Sequence, residues 1–214
     1  MTEVILWGGT GHSRVLRELL SRIGHTVVAV VDNREIQPPF IGPDILKGPE
    51  GLRLWLSARR LGNASLVYAL AIGGGYGRDR LALAQELDQM GLEHLSLVHP
   101  LAVVASDAIL ARGSQVLMGA AVSANVRIGT CSIINTSAIV DHDCIVGDGV
   151  HIGPAATLCG DIQVGDGSFI GAGATILPHL KIGNDVTIGA GSVVTRDIPA
   201  GSTVTGIPAK HFQV

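Results

Sequence analysis

One histidine in the sequence has the neighbours expected of a general base. His142 lies between two carboxylates in the segment Asp141-His142-Asp143. A carboxylate beside an imidazole fixes its tautomer and raises its basicity, which suits proton abstraction. The residues 18 positions before and after it, Ala124 and Gly160, are small and would leave room for a ligand if coils of that length stack. The pattern favours a general base over a solvated polar corner, and either acid could orient the ring.

A second histidine, His151, follows nine residues later. Nine residues are half of an 18-residue coil, so the two histidines belong on different sides of such a coil. Six residues at ~3.3 Å each make one side about 15 Å or more in length. If both histidines serve one site, that site lies between subunits. A three-sided prism packs naturally about a threefold axis, which predicts a homotrimer with three interfacial sites. A satisfied structural histidine is the alternative for His151.

The cysteines are not spaced for a metal or a disulfide. Cys131, Cys144 and Cys159 form no Cys-x-x-Cys pair, and an odd count argues against a disulfide framework. With no close histidine pair the ligand set is poor for zinc, so no metal is expected. A nucleophilic cysteine is not expected either.

A period of six residues predicts the scaffold of the second half of the chain. Val, Ile or Leu occupies every sixth position from Val98 to Val194, and a glycine often follows, as at Gly171. A helix has a period of 3.6 and a strand a period of 2, so neither explains this pattern. A β-helix of hexapeptide repeats does, with three hexads closing one triangular coil. The aliphatic residues would point inward, and the glycines would serve the turns.

The first half has the alternating pattern of an α/β unit with a parallel sheet. We predict strands at residues 2–7, 26–31 and 66–72 and helices at 13–23, 49–61 and 78–90. The domains are expected to be 1–97 and 98–214. A glycine-rich turn at residues 8–12 follows the first strand, and Asp32 ends the second, as in dinucleotide-binding units. Because Arg14 occupies the third glycine position, a mononucleotide or nucleotide sugar fits better, with phosphates at the helix N-terminus. A tight turn without a ligand is the alternative.

Motifs over nearly the whole chain together resemble the nucleotide-sugar acetyltransferases of bacterial glycan synthesis. That family includes bacillosamine and perosamine N-acetyltransferases and their sialic acid O-acetyltransferase relatives. The motifs are Gly8-Gly9-Thr10-Gly11-His12-Ser13, Ala71-Ile72-Gly73 with Arg78, His99-Pro100, Asn135-Thr136-Ser137 with Asp141-His142-Asp143, and Gly206-Ile207-Pro208-Ala209-Lys210. The resemblance implies a Rossmann-like α/β domain followed by a left-handed parallel β-helix with a C-terminal cap.

The resemblance also implies an activity and the roles of particular residues. The expected reaction is direct acetyl transfer from acetyl-CoA to an amino group, usually at C4, of a nucleotide-linked amino-deoxy sugar. His142 would be the general base and Asp143 would raise its basicity. The coenzyme would contact His151, Gly160, Gly171, Ala172, Gly189 and Ala190. The nucleotide sugar would contact Thr10, Gly11, His12, Asp32, Asn33, Gly73 and Asn135. Gly74-Gly75 departs from the Asn frequent in the family, which leaves base and sugar open.

Composition narrows the classes of partner that the chain could bind. A net charge of −3, from 15 basic and 18 acidic residues, predicts no nucleic-acid or anionic-membrane surface. No apolar run reaches the ~18 residues that a membrane span needs, so a cytoplasmic protein is expected. Three other functions stay open: O-acetylation of sialic acid or another sugar, a non-catalytic nucleotide-sugar binding protein, and a metal-dependent lyase or hydratase.

Overall fold

The computed structural model describes residues 2–59 and 65–212 of the 214-residue chain. The chain forms two compact units, Met1–Ile72 with Ala84–Leu95 and Gly73–Leu83 with Ser96–Val214. Residues 73–83 thus group with the second unit, although they fall within the predicted first domain. The functional division at residues 97 and 98 stays a prediction.

The first unit contains a five-stranded parallel sheet. Its strands are β1 (Glu3–Trp7), β2 (Thr26–Asp32), β3 (Asp44–Lys47), β4 (Leu66–Leu70) and β5 (Glu93–His94). The helices are α1 (Gly11–Arg22), α2 (Gly48–Ala58) and α3 (Gly77–Gln89), and α3 begins in residues of the second unit. The strand order is β3-β2-β1-β4-β5, with every pair parallel, which confirms the predicted α/β class. No helix in the described ranges is both long and apolar enough to traverse a bilayer.

Burial explains why these elements form. Val4, Ile5 and Leu6 of β1 are all fully buried, as expected for a central parallel strand covered on both faces. Helix α1 buries Leu16 and Leu20 on one side, at the helical spacing of four residues. The strand order reverses between β1 and β4, and in open α/β sheets ligands bind beyond the carboxyl ends of the strands at that point.

The second unit is a left-handed parallel β-helix, as predicted. Its strands are β6 (Leu97–Val98), β7 (Val103–Val104), β8 (Ile109–Leu110), β9 (Gln115–Val116), β10 (Ala121–Val122), β11 (Arg127–Ile128), β12 (Ile133–Ile134), β13 (Ile139–Val140), β14 (Ile145–Val146), β15 (His151–Ile152), β16 (Thr157–Leu158), β17 (Gln163–Val164), β18 (Phe169–Ile170), β19 (Thr175–Ile176), β20 (Lys181–Ile182), β21 (Thr187–Ile188), β22 (Val193–Val194), β23 (Thr203–Thr205) and β24 (Lys210–His211).

These strands form the three faces of a prism. The first face holds β6, β9, β12, β15, β18, β21 and β23, with β24 antiparallel at its end. The second face holds β7, β10, β13, β16, β19 and β22, and the third holds β8, β11, β14, β17 and β20. Each coil pairs with the next in strict register, as Val122 does with Val140. The sixth-position aliphatic residues are buried from Val116 to Val194, whereas Val98 is 38% exposed at the first coil.

The corners give the glycines a different role from the predicted one. Left-handed backbone recurs at every sixth position along much of the β-helix, three residues after the inward aliphatic residue, for example at Asn125 (φ 57°) and Asp143 (φ 60°). The glycines directly after the aliphatic residues do not have positive φ. A Cβ on Gly171 would lie 2.5 Å from the backbone nitrogen of Ala190, one coil on. Close approach of successive coils, rather than the turn, therefore requires glycine there.

Residues 73–83 cover the outer side of the first face. A Cβ on Gly77 would lie 2.0 Å from the carbonyl oxygen of Gly149. Arg80 is fully buried, and its guanidinium donates hydrogen bonds to the carbonyls of Cys131 at 2.9 Å and Gly149 at 2.8 Å. Burial lowers the pKa of Arg80 to about 10, so the side chain stays charged at neutral pH. This cover buries outward-facing residues of the first face, including His151.

Candidate active site

His142 lies at the corner between the second and third faces, directly after β13. Its Nδ1 is 2.8 Å from Oδ2 of Asp143. The other flanking acid, Asp141, instead accepts a hydrogen bond from the backbone nitrogen of His142 at 2.8 Å. The two acids therefore differ in what they do, and Asp143 is the one that meets the ring. The His142 side chain is 57% exposed in the single chain, so a ligand can approach it.

The surroundings make His142 a stronger base than free imidazole. The hydrogen bond to Asp143 raises the pKa of His142 above its ordinary value. Slight desolvation opposes this rise, while the charges of Asp141, Asp143 and Asp161 add to it. Hydrogen bonds from Asn125 and then His142 lower the pKa of Asp143, so its carboxylate stays ionised. The pair thus combines an imidazole of raised basicity with a fixed anionic partner.

Gly160 leaves the outer nitrogen of His142 accessible. A Cβ at Gly160 would lie 2.9 Å from Nε2 of His142, and the φ of 107° disfavours any other residue. The structure supports Gly160 as the source of space beside His142, and its predicted hydrogen bond to the thioester oxygen stays a prediction.

Apart from His151, the other residues predicted to contact the coenzyme lie at a different corner, together with Asn135, which was predicted to contact the nucleotide sugar. Asn135, Gly171 and Gly189 share equivalent positions on stacked coils, at the corner between the first and second faces. Ala172 and Ala190 follow in the same column, where the backbone nitrogen of Gly191 donates to the carbonyl of Ala172 at 2.8 Å. We call this set (Asn135, Gly171, Ala172, Gly189 and Ala190) the glycine corner. Within one chain it is a full face away from His142.

His151 lies on β15 of the first face and is only 4% exposed. Its Nδ1 is 2.7 Å from the backbone nitrogen of Gly74, and its Nε2 is 2.9 Å from Nδ2 of Asn135. Phe169 packs edge-on against the ring, with centroids 5.5 Å apart. These contacts support a role in ordering Asn135 and the loop after Gly73. The predicted contact of His151 with the acetyl end of the coenzyme stays a prediction.

Asp32 accepts a hydrogen bond from the glycine-rich turn of the first unit. Its Oδ2 accepts a hydrogen bond from the Gly9 nitrogen at 3.0 Å, and its Oδ1 accepts from the Arg34 nitrogen at 3.0 Å. Burial would raise the pKa of Asp32, but the hydrogen bonds from Arg34 and Gly9 outweigh it and the pKa is lowered. A Cβ on Gly8 would lie 2.5 Å from the carbonyl oxygen of Ala71. The carboxylate is thus already engaged with the backbone that any phosphate would approach.

Of the other predicted nucleotide-sugar residues of the first unit, Thr10, Gly11 and His12 lie at the start of α1, and Asn33 follows β2. Thr10 precedes the helix and makes no side-chain capping hydrogen bond, so its hydroxyl does not satisfy the first-turn amides. Thr10, Gly11 and Asn33 are exposed and His12 is half-buried. Helix amides of this kind bind phosphate well. Gly73 belongs to the second unit.

The first unit also contains a cavity that the sequence did not predict. A cavity of about 800 Å³ in the first unit is lined by Arg17, His25 and Phe40 near the start of β2, whereas the predicted residues follow its end. In residues 2–59 and 65–212, no three His, Cys, Asp or Glu side chains are grouped as a metal site needs. Sequence reasoning missed the contacts of Gly74 and Phe169 with His151, and it missed the contact of Arg80 with the β-helix. The glycine run at residues 73–75 was the one signal of them in the sequence.

Comparisons with known proteins show the family and the fold. Residues 161–196 match the family model described as bacterial transferase hexapeptide (six repeats). The UDP-N-acetylbacillosamine N-acetyltransferase of Bacillus subtilis is 34% identical over 120 residues, which are 55% of this chain and 52% of that protein. The chain thus spans only about half the length of that curated relative.

Two solved structures match over almost their full length. A histidine variant of GDP-perosamine N-acetyltransferase from Caulobacter crescentus, in complex with CoA and GDP-perosamine, is 35% identical with a TM-score of 0.90, covering 100% of this chain and 98% of that one. The acetyltransferase domain of PglB from Neisseria gonorrhoeae, in complex with acetyl coenzyme A, is 34% identical with a TM-score of 0.85, covering 98% of each chain. Fold and repeat together define the class as hexapeptide-repeat transferases. Within that class, the chain belongs to the family of bacillosamine and perosamine N-acetyltransferases.

Proposed function

We propose that this chain transfers the acetyl group of acetyl-CoA to the amino group of a nucleotide-linked amino-deoxy sugar, at C4 of the sugar. The observation that carries the proposal is the His142–Asp143 pair, with Nδ1 and Oδ2 2.8 Å apart and Nε2 left open by Gly160. Relatives crystallised with CoA and GDP-perosamine or with acetyl coenzyme A support both substrates. The product would serve surface-glycan synthesis in the cytoplasm, where acetyl-CoA is available.

In this reaction acetyl-CoA supplies an activated thioester, and the chain supplies the base. Nε2 of His142 accepts a proton from the sugar amine as the amine attacks the carbonyl carbon. The C–S bond of the resulting tetrahedral intermediate then breaks, and the imidazolium gives the proton to the departing CoA thiolate. Asp143 holds the imidazole through Nδ1 and stabilises the imidazolium that forms. Backbone amides at the site stabilise the developing oxyanion. Burial raises the pKa values of the Cys144 and Cys159 thiols, which disfavours thiolate nucleophiles and supports direct transfer.

The nucleotide part is assigned to the first unit. The uncapped start of α1, beside Thr10 and Gly11, suits the diphosphate. Asn33 follows the carboxyl end of β2 and is exposed, so it can reach a ribose or base. Asp32 contributes by holding the turn, with its own oxygens already hydrogen-bonded to Gly9 and Arg34.

The separation of the two corners supports a homotrimer with shared sites. His142 and the glycine corner both match the family's catalytic and coenzyme motifs, yet one chain keeps them a full face apart. Ile139 and Ile145 flank the His142 corner and are 42% and 47% exposed, which is unusual for large aliphatic side chains on both sides of a polar site. We infer that a neighbouring chain covers them and brings its glycine corner to His142.

Thiol release from acetyl-CoA tests the proposed reaction. The purified chain would be assayed with 4-amino-6-deoxy sugars linked to UDP, GDP and dTDP. Turnover with one of them, with the added acetyl group located on nitrogen by mass spectrometry and NMR, is the expected result.

Other outcomes would replace the proposal with a different function. Turnover with sialic acid but with no amino sugar would indicate an O-acetyltransferase. Binding of a nucleotide sugar without thiol release would indicate a non-catalytic binding protein. Activity restored only by an added divalent metal would indicate a metal-dependent enzyme.

A further inference from the structure

The corner that carries His142 is built from a column of stacked polar residues. Successive coils place Asn125, Asp143, Asp161 and His179 at equivalent positions, each in left-handed backbone with φ between 48° and 63°. Asp107 precedes them, and its Oδ2 accepts a hydrogen bond from the backbone nitrogen of Asn125 at 3.2 Å. Asn125 is thus a neutral amide between two carboxylates, one coil before and one coil after.

Asn125 holds the oxygen of Asp143 that His142 does not contact. Its Nδ2 donates a hydrogen bond to Oδ1 of Asp143 at 2.7 Å, while Oδ2 of the same carboxylate is 2.8 Å from Nδ1 of His142. A carboxylate on its own rotates over a broad range about its last side-chain torsion. Contacts on both oxygens restrict that rotation and keep Oδ2 directed at the imidazole.

We propose that Asn125 is a positioning residue for the transfer reaction, acting through Asp143 to fix the orientation of His142. The inference rests on the proposed function for its consequence in catalysis, and on the contacts alone for its effect on the imidazole. It extends the catalytic pair to three residues, Asn125, Asp143 and His142, on two stacked coils.

Asparagine at position 125 suits both the left-handed backbone and the hydrogen bond to Asp143. Asparagine, aspartate and glycine are the residues that tolerate left-handed backbone most readily. Glycine would offer no donor, and aspartate would place a second carboxylate against Asp143. Asparagine alone of the three meets the backbone requirement and donates to the carboxylate.

The charged groups around His142 determine the pKa that a titration of its ring would measure. From its own corner the imidazole faces Asp141 and Asp143, and from the next coil it faces Asp161. Asp161 is itself engaged, since its Oδ2 is 2.8 Å from Nδ1 of His179. The stacked neighbours of the ring, Ala124 and Gly160, are uncharged. Loss of the Asn125 amide changes one hydrogen bond in this set and no formal charge.

The test is a double-mutant cycle read by NMR titration of the His142 ring. Asn125→Gly keeps the left-handed backbone and removes the donor. Because the hydrogen bond to Asp143 is the main cause of the raised His142 pKa, we expect this variant to lower that pKa, with the His179 ring unchanged as internal control. In an Asp143→Asn background, Asn125→Gly should produce no further shift.

Kinetics supplies the second readout. Asn125→Gly should reduce kcat by about threefold to tenfold, the size of one net hydrogen bond, with both KM values within about twofold of wild type. The acid limb of the pH profile should move to lower pH. His179→Gly is the matched control, since His179 has the same left-handed corner backbone with φ 63° in the same column of coils, and its ring meets Asp161 rather than Asp143. It should leave kcat and the pH profile unchanged.

The outcomes separate this inference from the proposed function. An unchanged His142 pKa in Asn125→Gly, or an equal shift with and without Asp143, would overturn the positioning role. Absence of turnover in the wild-type protein would overturn the proposed function, while the NMR cycle would still decide the role of Asn125.

Discussion

At the scale of single residues, the site depends on which carboxylate reaches His142. The sequence places Asp141 and Asp143 symmetrically about the histidine, so it left the choice open. The structure resolves it because residue 143 has left-handed backbone, which turns its side chain back to Nδ1, while Asp141 faces the backbone amide. Asn125 was not predicted, because its link to Asp143 crosses from one coil to the next. Reading the repeat in columns of 18 would have placed the two together.

Replacing the partner carboxylate gives the first prediction. Asp143→Asn removes the group that raises the pKa of His142, so the pKa falls. Since the neutral imidazole is the active form, the acid limb of kcat/KM should move to lower pH, and the plateau should fall because the base is weaker. A pH profile from 5 to 9 measures both. An acid limb that stays in place would show that Asp143 does not govern the base.

The space beside Nε2 gives the second prediction. Gly160→Ala would place a Cβ 2.9 Å from Nε2 of His142, at a φ of 107° that alanine adopts only with strain. We expect kcat to fall at least about tenfold and stability to fall by about 1–3 kcal/mol. Gly201→Ala, whose Cβ has no atom within 4 Å and whose φ is 71°, controls for backbone strain alone. Equal kcat losses in the two variants would contradict the steric role of Gly160.

At the scale of elements, the alternation of strands and helices was predictable because long apolar runs and helical spacing are strong signals. Strands β3 and β5 were missed. Both are short edge strands, and the two middle residues of β3 are only half-buried, so they lack that signal. Helix α2 ends at Ala58, before the predicted end at residue 61, which lies outside the described residues. The glycines after the aliphatic positions were located correctly but assigned the wrong cause, since coil spacing rather than turn geometry requires them.

Arg80 provides a test of how residues 73–83 are held on the β-helix. Arg80→Met would leave the buried carbonyls of Cys131 and Gly149 without their donor. The expected loss is about 3 kcal/mol, measured as a drop in Tm and in the urea midpoint. Arg53→Met, at a side chain 54% exposed, is the matched control and should change stability by less than about 0.5 kcal/mol. A loss no larger than the control's would contradict the anchoring role.

At the scale of the whole molecule, the period of six predicted the β-helix because every coil repeats the same steric requirements. The family resemblance was confirmed by relatives matching over nearly the full chain. Assembly is a separate matter. One chain leaves His142 and the glycine corner on different corners, and the sequence argument from His142 and His151 pointed to a trimer for a similar reason. The homotrimer stays a prediction that rests on this separation.

Subunit mixing tests the shared site directly. Chains of 22.1 kDa should sediment as a species of roughly 66 kDa if three assemble. His142→Ala and Asn135→Ala chains, each inactive or weakly active alone, should regain activity when assembled together, because some interfaces then carry both wild-type corners. Ile145→Glu should give monomers without turnover. Val15→Glu, on α1, is the control and should leave both assembly and turnover unchanged. A fully active monomer would contradict the interfacial site.

The proposed function depends most on His142 acting as the base for transfer to an amino sugar. The most direct measurement is kcat for thiol release by wild-type and His142→Ala proteins, with acetyl-CoA and the accepted nucleotide sugar at saturation. His179→Ala is the matched control, since His179 is also exposed and also has its Nδ1 2.8 Å from a carboxylate, that of Asp161. We expect kcat to fall by about 10²–10⁴ in His142→Ala and to change little in His179→Ala. An unchanged kcat in His142→Ala would contradict the role of His142 as the base.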